Sequence, residues 1–139
     1  MGCRSKEIKV YADEEIADFD ALLQTASKSN AKRYDLRHQE HCRAGRIPGF
    51  FCARTNDSKG QEVSLDEIVE NLKIILGKER KRLIILVDYD GNDANYVATK
   101  LFQEGYHNIH YFESGYECYA NLKGSEFVPE TGECDSCSL

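Results

Sequence analysis

The chain has 139 residues, with 24 Asp and Glu against 18 Lys and Arg, for a formal charge of −6. That length suits one domain burying roughly two-thirds of its unfolded surface. A hydrophobic share of 41% with 10% aromatics excludes a wholly disordered chain. The acidic balance and the lack of a long Lys/Arg tract exclude nucleic acid or an anionic membrane as the main partner. No apolar run reaches the roughly 18 residues of a transmembrane helix.

In chain order, Ile8–Tyr11 alternates as a short strand, and Ile16, Phe19, Leu22, Leu23 and Ala26 form one helical stripe. Arg33–Arg37 reads as a second strand, followed by an exposed helical face bearing His38 and His41. Arg46–Gly49 is a turn into a short strand at Phe50–Ala53, and Asn56–Gly60 is a loop. Ser64 with Glu67 makes a capping box for a helix carrying Leu65, Ile68, Leu72, Ile75 and Leu76, which Gly77 ends. Leu83–Val87 is continuously apolar, as a parallel strand covered on both faces must be. A loop from Asp88 to Asp93 leads to a helix over 94–104, stopped by Gly105; Asn108–Phe112 is the last strand and 115–122 the last helix. Alternating strands and helices predict an α/β domain with an open, mostly parallel sheet over residues 1–122. Residues 123–139 read as an acidic, flexible tail with a Cys-x-x-Cys pair.

Two blocks carry a family resemblance. One is Asp35-Leu36-Arg37 followed by Gly45-Arg46-Ile47-Pro48-Gly49. The other is the apolar strand, the six-residue loop, a helix ending at Gly105-Tyr106, then Asn108-Ile109 and Glu113-Ser114-Gly115. In this order and spacing they resemble the rhodanese-like domain of the sulfurtransferase superfamily. The resemblance implies a five-stranded parallel sheet flanked by helices. It also implies a loop after the central strand that opens, in active members, with the nucleophilic Cys. Here Asp88 holds that position, Asp93 stands where the family often has Arg, Arg46 replaces the His of the first block, and Phe50 its Ala.

Sulfur transfer needs a thiolate that attacks a sulfane sulfur and carries it as a persulfide, and a carboxylate cannot do this. Asp88 is therefore expected to occupy the anion cradle from within, accepting the loop N–H bonds itself. Asp90 and Asp93 add negative charge, so thiosulfate or phosphate should be repelled. Asp93 or Asn92 is expected to cap the following helix, with Gly91 making the turn and Tyr89 beside it. Asp88, Asp90 and Asn92 also alternate like the start of a Ca²⁺-binding loop, but Asp93 stands where that loop needs Gly, and Thr99 where it needs Glu.

Six cysteines are too few for a disulfide scaffold at this length. Cys134-Asp135-Ser136-Cys137 has redox-pair or zinc half-site spacing. His38, His41 and Cys42, joined to that pair, would make a mixed zinc site, whereas Cys52 and Cys118 read as small core or half-buried residues. Asp35 and Arg37 are expected to form structural hydrogen bonds and ion pairs beside the loop, near Arg46. Tyr89, Tyr96, Tyr106 and Tyr111 are expected around the loop and last helix as core-edge packing or a recognition border.

The resulting expectation is a rhodanese-like binding or regulatory module, inactive as a sulfurtransferase, with no cofactor. Its loop would meet a protein partner or a cationic ligand. The alternative is a thiosulfate or persulfide sulfurtransferase using a displaced thiol at Cys134 or Cys137. A cytoplasmic location follows from the absence of a secretory signal, with a lipid anchor through Gly2 or Cys3 as the alternative; Lys6 stands where a myristoylation motif wants Ser or Thr.

Overall fold

A computed structural model describes residues 7–133. Five parallel strands form one sheet in the order β1-β5-β4-β2-β3: Lys9–Tyr11 (β1), Lys32–Asp35 (β2), Phe51–Cys52 (β3), Ile84–Val87 (β4) and Ile109–Phe112 (β5). The helices are Ile16–Ala26 (α1), Gln39–Ala44 (α2), Leu65–Leu76 (α3), Asn92–Gln103 (α4) and Gly115–Lys123 (α5). The strands are one or two residues shorter than expected; Leu36 and Ala53 lie just beyond β2 and β3, stay buried, and donate to the Val87 and Asp35 carbonyls at 2.8 and 3.0 Å.

All four residues of β4 are buried, which is why the run lacks alternation. Ile84 and Leu86 face one layer with Leu72 of α3 and Val97 of α4, while Ile85 and Val87 face the other with Phe19 of α1 and Tyr119 of α5. Register pairs Tyr34 with Leu86 and Leu86 with Tyr111, so β2, β4 and β5 end near one level. Their carboxyl ends make the crevice where ligands meet open parallel sheets. Ser64 caps α3 by accepting from the Glu67 N–H at 3.1 Å. No helix among the described residues is long and apolar enough to cross a membrane.

The boundary expected at Lys123 moves. A short 3-10 turn spans Gly124–Glu126, and Phe127 then packs its ring against Tyr116 and Tyr119 at centroid distances of 5.9 and 5.6 Å. Arg46 and Glu130 exchange backbone hydrogen bonds, and the Glu130 carboxylate takes the Arg46 guanidinium at 3.1 Å and the Gly49 N–H at 2.8 Å. Residues 127–133 are thus a strap docked on α2 and its following turn, not a free tail. Glu130, which reads as solvated tail, serves buried Arg46, a pairing 84 residues apart that local composition cannot reveal.

Candidate functional site

Asp88 begins the loop between β4 and α4 and is fully buried. Its Oδ1 accepts the Gly91 N–H at 2.7 Å and its Oδ2 the Ala94 N–H at 2.8 Å. Both carboxylate oxygens thus turn inward, into the ring of N–H groups formed by the loop and the first turn of α4. The Asp88 carbonyl accepts from the Tyr116 N–H at 2.7 Å, which ties the loop to the start of α5.

Two glycines allow that tie. Gly91 has φ 90°, and a Cβ there would lie 2.1 Å from the Glu113 carbonyl oxygen. Gly115 has φ 86°, and a Cβ there would lie 2.1 Å from the Tyr89 carbonyl oxygen. The loop and the β5–α5 junction are interlocked backbone to backbone. Gly91→Ala is expected to destabilise the chain by at least about 2 kcal/mol, since positive φ and a backbone clash add. Urea unfolding measures it, and a loss below about 0.5 kcal/mol, the usual size of a surface change, would show that the loop yields freely.

Burial pushes the Asp88 carboxyl above its ordinary value, with Asp90 and Asp93 adding to the rise and the Ala94 and Gly91 N–H bonds opposing it. The cap arrangement differs from expectation. Asp88 takes the orphan N–H of Ala94, so α4 starts at Asn92, two residues earlier than its apolar stripe suggests. Asp93 caps nothing; it accepts from Arg54 Nη1 at 3.1 Å. Asp90 accepts from the Asn92 backbone and side-chain N–H groups at 3.1 and 3.2 Å. Asp88, Asp90 and Asn92 therefore do not converge as cation ligands, and no group of three His, Cys, Asp or Glu suited to a metal occurs among the described residues.

Beside the loop, Arg37 Nη2 reaches Asp35 Oδ2 at 2.8 Å and Arg37 Nε reaches Oδ1 at 3.1 Å, both residues being buried. Arg37 also donates to the Gly45 carbonyl at 2.5 Å and lies 3.8 Å over the Tyr116 ring. Arg46 is not part of this group; its partners are Glu130, Cys42 O and Gly132 O. Tyr89 covers the mouth. Its hydroxyl accepts the His38 N–H at 3.0 Å and pairs with His41 Nδ1, while the His38 ring pairs with Glu62. Arg54 joins Glu62 to Asp93, extending this polar chain along the loop. A cavity of about 330 Å³ opens between Arg37, His41, Tyr89, Tyr116, Glu117 and Pro129.

The cysteines depart most from the sequence reading. Cys42 of α2 and Cys52 of β3 form a disulfide, which removes Cys42 from any mixed zinc site and makes Cys52 more than a small core residue. Cys118 is a half-buried free thiol whose pKa is held up by burial and by Asp13. Cys134 and Cys137 lie outside the described residues. Tyr106 and Tyr111 are core residues, and Tyr96 is partly exposed and donates to Asp66. Sequence reasoning missed Tyr116, Arg54 and Glu62 at the mouth. Tyr116 alone carried a local signal, directly after the Glu113-Ser114-Gly115 block.

Comparison with known proteins agrees with this architecture. The family model described as "Rhodanese-like domain" matches residues 18–122. A solved protein from Anabaena sp. is similar at 13% identity, covering 84% of this chain and 94% of its own, with a TM-score of 0.59. A Rhodanese_3-like domain from Anabaena sp. is similar at 13% identity over 75% of this chain and 95% of its own, with a TM-score of 0.54. A rhodanese-like domain protein from Staphylococcus aureus is similar at 18% identity over 81% and 91%, with a TM-score of 0.53. The comparison with curated proteins gave no match. At these identities the solved structures speak for the fold, and the family match spans most of the described residues. With the five-stranded parallel sheet in place, the chain belongs to the rhodanese-like domain family.

Proposed function

We propose that this domain is a non-catalytic binding or regulatory module whose anion cradle is filled by its own Asp88. The observation that carries this reading is the buried carboxylate bonded to the Gly91 and Ala94 N–H groups, at the loop position where the family resemblance puts the nucleophilic Cys. A persulfide cannot form on that carboxylate, and an incoming thiosulfate would compete with a covalently tethered anion for the same donors. Around the loop, Asp90 is exposed and Glu62 and Asp93 share Arg54, so an exposed occupant of that rim is expected to be cationic, either a small ligand or a basic face of a partner protein.

A thiosulfate:cyanide assay tests the reading. No turnover above the uncatalysed background is expected from the full chain. Robust turnover abolished by Cys134→Ser with Cys137→Ser would overturn it in favour of a displaced-thiol sulfurtransferase. Asp88→Cys is expected to stay at least about a hundredfold below an active member, since a thiolate alone does not supply the cation that steadies an anionic donor. Full activity from that one change would show that the surrounding acids do not oppose the donor.

A further inference from the structure

We infer that the groove between α1, α5 and the start of the strap binds an amphiphilic monocarboxylate, with Arg33 holding the carboxylate and an apolar wall holding the hydrocarbon body. Arg33 lies on β2, which has a strand on either side, and its partner in register is Ile85 of β4. Ile85 packs with Phe19, Ile47 and Phe50 in the layer under α1 and α5. An arginine entering that layer costs desolvation unless its charge is paired. Arg33 forms no ion pair and no side-chain hydrogen bond among the described residues, and its Nε is buried without an acceptor. Burial pushes its pKa down, opposed by Glu130, whose carboxylate is already bonded to Arg46 and the Gly49 N–H. Gly49 holds the guanidinium in place. A Cβ there would lie 2.6 Å from Arg33 Nη1, 3.0 Å from Cζ and 3.4 Å from Nη2, so the group rests on bare backbone. The fork is thus positioned in advance of any acceptor.

Arg33 lines a groove of about 450 Å³, a size usual for small ligands, that shares no residue with the cavity at Tyr89. Leu23, Ile47, Pro48, Phe127 and Val128 supply its apolar wall. Val128 is 74% exposed, so a hydrocarbon chain lying there removes apolar surface from water. Lys123, the other cation of the groove, is engaged: Asp20 takes its ammonium and also the Tyr119 hydroxyl, the latter at 2.6 Å. Glu126, exposed and in no ion pair among the described residues, is the acid that competes with an incoming anion. One unpaired guanidinium matches one planar carboxylate, which it can hold by two parallel N–H bonds. A doubly charged phosphate would bring excess charge against Glu126, and an ammonium would meet the charge of Arg33 itself. This site stands apart from the Asp88 loop and does not rest on its reading.

The test titrates the isotope-labelled full chain with octanoate, octanol and octylammonium, read by amide NMR shifts. Octanoate is expected to bind saturably and to move Leu23, Ile47, Gly49 and Phe127. Octanol should bind at least about tenfold more weakly, since it lacks the charge-assisted fork, and octylammonium should leave those amides unmoved. Arg33→Met keeps the stem and removes the fork. Octanoate affinity should then fall at least about tenfold while the urea midpoint stays level or rises, because a half-buried cation without a partner is gone. Glu126→Gln should tighten octanoate about twofold by removing an exposed like charge. Equal affinity for octanol and octanoate would overturn the inference, as would an Arg33→Met chain that binds octanoate like the parent. So would octanoate shifts centred on residues 88–93. Should Arg33→Met unfold too readily to titrate, the comparison of head groups on the parent chain decides alone.

Discussion

Replacing Asp88 with alanine is expected to cost about 2–6 kcal/mol in urea unfolding at neutral pH, as two buried N–H donors lose their acceptor at about 1–3 kcal/mol each. The donors are those of Gly91 and Ala94, and the glycine contacts leave the loop little room to turn them elsewhere. Asp88→Asn should fall between parent and alanine, because one amide oxygen still accepts while the amide NH₂ faces the other donor. The pH dependence separates charge from hydrogen bonding. Burial raises the Asp88 pKa in the folded state, so just above the ordinary carboxylate value the folded chain keeps a proton that the unfolded chain has lost. That contribution to stability is fully present below the ordinary value and disappears as pH rises through the raised one. The stability of the parent minus that of Asp88→Asn should therefore shrink from pH 4 upward. A difference that grows with pH would mean that the N–H bonds outweigh the burial of the charge.

How much of this was legible follows from how far apart the interacting residues lie. The β4 strand announced itself because burial on both faces demands a continuous apolar run, and Asp88 could be read as cradle-filling because it directly follows that run. The sequence points to Asp93 or Asn92 as the cap of α4 rather than Asp88, because a side chain six residues before Ala94 can reach its N–H only if the loop folds back, which needs Gly91 at positive φ. Arg54 pairing with Asp93 spans 39 residues, and Tyr89 with His41 spans 48. Neither leaves a periodic trace. The Cys42–Cys52 bond depends on how α2 packs on β3, which spacing alone does not specify. The docked strap is hidden by composition: Glu130 looks solvated until buried Arg46 supplies its partner.

Arg37→Ala is expected to be as damaging as any change at the Asp88 loop, about 3–5 kcal/mol, the usual loss when one partner of a buried ion pair is removed. Three groups lose their partner together. The Asp35 carboxylate, fully buried, keeps the backbone N–H of residue 37 at 3.0 Å but loses the guanidinium. The Gly45 carbonyl loses its donor, and the Tyr116 ring loses the cation stacked on it. Arg37→Lys should recover only part of the loss, since one ammonium cannot reproduce the forked contact to Asp35 while also reaching Gly45. The damage belongs to the orphaned charge more than to any large net gain from the pair. Asp35→Leu combined with Arg37→Met should therefore unfold at a higher urea midpoint than Arg37→Ala alone. A double variant weaker than the single one would instead make the pair a net stabiliser of the wall between β2 and the mouth. Because Arg37 and Tyr116 also border the cavity, Arg37→Ala should loosen that wall. Faster amide exchange at Tyr116, whose N–H is bonded to the Asp88 carbonyl, would report that loosening directly.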